Sequence, residues 1–338
     1  MNVEGTLRRV RLGLIGAGII VREAHVPALR KLADRFEIVA VCAGHRSSAD
    51  ALAAELGGIE VSDSPEELLA RTDVEAVDIA TPISLNARLA AMAAKAGRHV
   101  FLEKPIAAHI EEAPDVATLP ERYPVVLFVA ETNRYFSGYM AAAKLVEDGR
   151  IGKPRFLHWD NMSQISPSNL YSQTAWRQQP EHIGGYLSDG GVHAAAAIDM
   201  VAGKVAAVHA MTASFNPALL GAEDTLIVNI RFASGLPGSL IFSVGTPEAK
   251  SGPLTIYGTD GRMEIETNQI TIARGDQTEL VEFAGEDPFV EEFRDFYDAV
   301  VEGKPPRATP LDALADLIFV DAALRSAESG EVIRIAAG

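Results

Sequence analysis

The chain is predicted to form an α/β Rossmann domain, a doubly wound parallel sheet, followed by an α+β domain with a large open, mainly antiparallel sheet. Over residues 1–130, short apolar runs alternate with helical patterns, the spacing of βαβ units. Beyond Glu131 the strand patterns follow one another with few helices between them, as antiparallel sheets do. A chain of 338 residues also exceeds one ordinary core, so two domains are expected, 1–130 and 131–338.

In the first half, strands are expected at 10–15, 37–42, 76–80, 99–102 and 125–129. They are near-continuous apolar runs because helices cover both faces of a parallel sheet. Helices are expected up to about residue 32, over 47–56, over 85–96 and near 110. In the second half one helix is expected over 139–147, ending at Asp148-Gly149. Strand patterns follow at 155–162, 205–215, 225–232, 238–244, 254–257, 262–266 and 269–273. Two closing helices are expected at 288–301 and 310–329, with Gly303-Lys304-Pro305-Pro306 as the break between them.

Composition excludes several function classes. A formal charge of −16 argues against a nucleic-acid surface, which needs concentrated Lys and Arg. Cys42 is the single cysteine, so neither an intrachain disulfide nor a cysteine metal cluster is expected. No stretch has the length and apolarity of a membrane span. The N-terminal residues carry no basic region followed by an apolar core, so a cytoplasmic protein is expected.

Three motifs carry chemistry. Gly16-Ala17-Gly18, with Ile19 and Ile20 opening the next helix, follows the first strand. That strand–turn–helix setting suits a dinucleotide pyrophosphate: Gly16 for the bend, Gly18 for close backbone approach, free N–H groups at the helix start for the charge. Val21 stands where a third glycine is usual. At the end of the second strand, Ala43 occupies the place of the carboxylate that binds both ribose hydroxyls in NAD sites. With that repulsion gone, Arg46, Ser47 and His45 are the expected partners of a 2′-phosphate, favouring NADP over NAD. The alternative is a surface arginine at a helix start.

Glu103-Lys104-Pro105 is the second motif, at the mouth of the fifth strand, where open α/β sheets bind their ligands. The third runs from Gly184 through Asp189 to His193. On one helix Asp189 and His193 would share a face. His193 then serves as proton acceptor, Asp189 orients it or shares in proton movement, and Lys104 stabilises developing alkoxide charge. Asp and His at this spacing also suit a metal, but no third ligand is spaced nearby, so none is expected. A helix-capping Asp beside a core His is the bland alternative. The remaining histidines, His25 among them, read as structural.

Together these stretches resemble the Gfo/Idh/MocA oxidoreductases (glucose-fructose oxidoreductase, inositol dehydrogenase and relatives), over nearly the whole chain. The resemblance implies that Glu103 and Lys104 meet the nicotinamide ribose and the substrate hydroxyl, and that Thr81 and Pro82 wall the cofactor. Asn86 stands where relatives carry His, Ile83 where they carry Asn, and Ala196 where a further Asp is common. Trp176-Arg177 resembles a pair bordering the active site, which brings Arg177 into the expected cofactor site; the alternative is an aromatic anchor with a surface Arg. Implied too are a sugar or polyol substrate between the domains and a homodimer or homotetramer. Two other activities fit the same scaffold: a sugar-sensing regulator without catalysis, and NAD(P)-assisted glycoside cleavage.

Overall fold

The computed structural model describes residues 8–336. Its chain divides into two compact units, one of residues 1–130 with 286–314, the other of residues 131–285 with 315–338.

The first unit is built on strands β1 (Val10–Ile15), β2 (Phe36–Cys42), β3 (Glu60–Val61), β4 (Ala76–Ile79), β5 (His99–Glu103) and β6 (Leu127–Ala130). They lie in the order β3-β2-β1-β4-β5-β6, with every pairing parallel. This is the doubly wound arrangement, its order reversing beside β1. Helices Arg46–Glu55 and Asn86–Lys95 are crossover connections. A further helix, Pro65–Ala70, escaped the sequence reading; Ser64 caps it, accepting from the Glu67 N–H.

One boundary differs from expectation. The helix Pro288–Glu302 belongs to the first unit, not the second. Its apolar residues Val290, Phe293, Phe296 and Tyr297 recur at helical spacing and are buried. Phe293 stacks on Phe101 at 4.2 Å, Phe101 stacks on Phe128 at 5.1 Å, and Phe36 packs edge-on against Phe293 and Tyr297. An aromatic side chain buried this way contributes about 1.5–3 kcal/mol, which outweighs chain proximity to the second unit. Asp287 caps the helix and Gly303, at φ 68°, ends it in the left-handed conformation.

The second unit carries β7 (Pro154–Met162), β8 (Val205–Ala213), β9 (Thr225–Phe232), β10 (Pro237–Ser243), β11 (Leu254–Gly258), β12 (Arg262–Ile265), β13 (Gln269–Arg274), β14 (Gln277–Glu282) and β15 (Ile333–Arg334). The sheet order is β14-β13-β12-β11-β7-β10-β9-β8-β15, antiparallel except between β7 and β10. Alternation runs along most strands, with Leu157, Trp159, Val228, Ile230 and Leu240 buried and Phe156, Met211 and Ile227 exposed, although Leu254, Thr255 and Ile256 are buried in succession on β11. The strand patterns after residue 150 were legible for this reason. β14 was not, because all but one of its residues are exposed.

Candidate active site

In the first unit the strand register brings the chemistry to one edge. Ile15 pairs with both Cys42 and Ile79, and Ile79 with Leu102. The residues that follow, Gly16, Ala43, Ala80-Thr81 and Glu103-Lys104, therefore leave the sheet together at its carboxyl edge. Gly16 has φ 130°, and a Cβ there would lie 2.2 Å from the Ala80 carbonyl oxygen, so the fold itself requires glycine. Gly18 is exposed, and a Cβ there would meet nothing within 4 Å. The protein does not need glycine at Gly18; room for a ligand does. Thr81 Oγ1 is buried with no hydrogen-bond partner among the described residues, as expected of a wall that a bound group completes. Open backbone at Gly18 and an orphaned hydroxyl at Thr81 fit a dinucleotide lying over the Gly16–Ile20 turn.

Around it, His45, Arg46 and Ser47 are all exposed. Arg46 is not idle: its Nε donates to Asp50 at 2.8 Å, and its guanidinium also pairs with Asp63. Asn86 is buried, and its Nδ2 donates to the carbonyls of Glu103 (2.9 Å) and Pro105 (2.7 Å). It thus clamps the backbone on either side of Lys104, where the Lys104–Pro105 peptide is cis. Pro82 precedes a short helical turn, Ile83–Leu85, that leads into Asn86.

A histidine expected to be structural sits under this motif. His25 is fully buried; Nδ1 lies 2.8 Å from Asp78 Oδ2 and Nε2 lies 3.0 Å from Glu103 Oε1. Burial opposes its charge, but the charges and hydrogen bonds of Asp78 and Glu103 outweigh burial and raise its pKa to about 10. The signal in the sequence was Asp78 itself, a carboxylate inside the apolar run Ala76-Val77-Asp78-Ile79. A charge in a strand buried on both faces demands a buried partner.

In the second unit Asp189 and His193 fall on two helices, Tyr186–Asp189 and Gly191–Ala202, that meet at Gly190. The expected support of His193 by Asp189 is replaced. Asp189 Oδ2 accepts from Arg177 Nε at 2.6 Å, while His193 Nδ1 lies 2.6 Å from Glu131 Oε1. The reason is geometric: the break at Gly190 separates the two side chains, and each finds a partner from elsewhere in the chain. Glu131, 2% exposed on its side chain, also accepts from the Asn133 N–H, and Asn133 Nδ2 donates to the His193 carbonyl. Residues 131–133 thus fix both ends of His193. With Nδ1 donating to the carboxylate, the lone pair sits on Nε2, ready to take a proton. Arg177 packs its guanidinium over Trp176 at 3.9 Å and Tyr171 at 4.9 Å, in the unit that does not carry the glycine turn.

Behind Glu131 lies a second buried acid. Asp316 accepts two bonds from Arg134 Nη2, at 2.7 and 2.8 Å. Burial raises the Asp316 pKa to about 8, opposed by Arg134 and reinforced by Glu131 and Asp199. Glu131, Arg134 and Asp316 were not found from sequence; their contacts span 62 and 182 positions with no local periodicity.

The doubly wound sheet and its glycine turn at the carboxyl edge are the architecture of a dinucleotide-binding domain. Residues 10–131 match the family described as "Oxidoreductase family, NAD-binding Rossmann fold", and residues 139–264 match the "GFO/IDH/MocA C-terminal domain". The chain is 30% identical to protein YMR315W of Saccharomyces cerevisiae, covering 96% of this chain and 98% of that one. It is 29% identical to a 1,5-anhydro-D-fructose reductase of Ensifer adhaerens, covering 97% and 99%. A crystal structure of an oxidoreductase from Thermotoga maritima superposes with a TM-score of 0.92 at 38% identity, covering 97% and 98%. The chain belongs to the Gfo/Idh/MocA oxidoreductase family, and it is a dehydrogenase or reductase working with a nicotinamide cofactor on CH–OH groups.

Proposed function

We propose that the protein catalyses reversible oxidation of a secondary alcohol of a sugar or polyol, with NADP favoured over NAD. When bound, the oxidised nicotinamide supplies the hydride acceptor. His193 takes the hydroxyl proton on Nε2, the Glu131 carboxylate holds the resulting imidazolium, and Lys104 stabilises negative charge developing on the oxygen. The products are ketone and reduced cofactor, with one proton on the enzyme. Asp189 serves at one remove, holding Arg177 against its aromatic neighbours. The observation that carries this reading is the 2.6 Å His193–Glu131 contact, which fixes a tautomer suited to a general base.

For the cofactor, the absence of a carboxylate at Ala43 favours NADP. The pairing of Arg46 with Asp50 and Asp63 limits that preference, because a 2′-phosphate must compete with both. For assembly, the exposed apolar residues of the large sheet, Met211, Ile227, Phe156 and Tyr257, favour a homo-oligomer formed through that face.

The test is a panel of polyols and sugars with NADP⁺ and NAD⁺, followed by nicotinamide absorbance, in wild type and Lys104→Met. Wild type should reduce the cofactor with at least one polyol. Lys104→Met should lose roughly 10²-fold in kcat while binding NADPH as before. Unchanged turnover in the variant removes Lys104 from the mechanism. Product release without net cofactor reduction would replace oxidation by a cleavage in which the cofactor is recycled.

A further inference from the structure

We propose that His25 is a positioning residue for the nicotinamide half of the site: a doubly protonated ring that locks the Glu103 carboxylate at the end of β5, next to Lys104. The inference rests on the dehydrogenase reading above, since it assigns Glu103 to the cofactor ribose. The argument is one of donors and acceptors. His25 presents one nitrogen to Asp78 at 2.8 Å and the other to Glu103 at 3.0 Å. Ionised carboxylates only accept, so both ring nitrogens must donate, and only the imidazolium does that.

The neighbours of the ring agree with this assignment. β4 contributes Asp78; β5 contributes Glu103 and the edge-on ring of Phe101 at 5.6 Å. The helix Pro288–Glu302 contributes Phe289 at 6.2 Å and Phe293 at 5.4 Å. The ring and Asp78 are fully buried beside these aromatic rings, so their attraction is screened little by solvent. The elevated pKa of His25 agrees with a ring that stays charged throughout the neutral range.

The consequence concerns Glu103. Its Oε1 is taken by His25 and its backbone carbonyl by Asn86. The carboxylate is thereby held in one orientation, with Oε2 the oxygen that His25 does not engage. An acceptor fixed in advance binds a ribose hydroxyl without the cost of immobilising a long side chain. Through Glu103, the buried ring also fixes where Lys104 begins.

A double-mutant cycle of His25→Gln and Glu103→Gln, read by fluorescence titration with NADPH and NADH, tests the idea. Each single change should raise the dissociation constant about tenfold, and the double variant should bind like the singles. Additive losses, or a His25→Gln protein that binds as wild type, would overturn it. If His25→Gln does not fold, nitrogen NMR of histidine-labelled wild type decides: the His25 ring should remain doubly protonated at about pH 8. A neutral ring there refutes the proposal. Failure of wild type to bind either nucleotide would instead sink the dehydrogenase reading.

Discussion

Glu131 takes the place beside His193 that spacing alone suggests for Asp189. Four residues separate Asp189 from His193, yet its carboxylate goes to Arg177, and the acid on His193 Nδ1 comes from the end of β6. A carboxylate on one imidazole nitrogen does two things: it selects the tautomer and stabilises the charge formed once the other nitrogen takes a proton. Glu131→Gln keeps an acceptor in place but removes the charge. Its kcat should fall roughly 10²-fold while NADPH binding stays near the wild-type value, and Glu131→Asp should recover part of the loss. A Glu131→Gln enzyme with undiminished kcat would leave His193 acting without a carboxylate partner. The dependence would fail with it.

The proposed preference for NADP is tested at the turns that end β2 and β3. Arg46 opens the helix after β2, and Asp63 follows β3 beside it. The pair is exposed, so each partner is worth little alone. In the proposed site a 2′-phosphate would nonetheless compete with the Asp63 carboxylate for one guanidinium. Asp63→Asn should therefore tighten NADP binding about threefold and leave NAD unchanged, while Arg46→Ala should weaken NADP selectively. Paired NADPH and NADH titrations measure both, and a variant that moves the two nucleotides equally would show that Arg46 does not read the 2′-phosphate. Strands and turns of this kind were legible from sequence because their signals are local. Apolar runs such as Leu12 to Ile15 mark buried strands, and glycine pairs mark bends. The helix Pro288–Glu302 was legible as a helix but not in its location, since an apolar stripe does not say which sheet will cover it. The ion pairs under the site were the least legible: His25, Asp78 and Glu103 meet across 53 and 78 positions. Only the oddity of a carboxylate within β4 hinted at them.

Among the described residues, two buried groups with raised pKa values, His25 and Asp316, tilt stability in the same direction. His25 is raised from 6.5 to about 10, with its two carboxylate partners overcoming burial. Asp316 is raised from 3.8 to about 8, chiefly by burial. In each case the folded protein holds a proton more tightly than the unfolded chain. Stability from such a group is complete below the unfolded pKa and is lost as pH climbs to the folded one. Asp316 accounts for a decline between about pH 4 and 8 in the second unit, and His25 for one between 6.5 and about 10 in the first. Each group contributes up to ~1.4 kcal/mol per pH unit within its window. His99 pulls the other way, since burial lowers its pKa and its contribution is lost as pH falls. Its effect lies on the acid side of the His25 window. The melting temperature should therefore fall steadily as pH rises above 6.5. The His25→Gln protein should start lower and fall less steeply, because only its other groups still titrate. Calorimetric scans across that range decide the matter: a wild-type melting temperature that is level or rising between about pH 7 and 9 would mean that His25 does not carry its proton inside the fold.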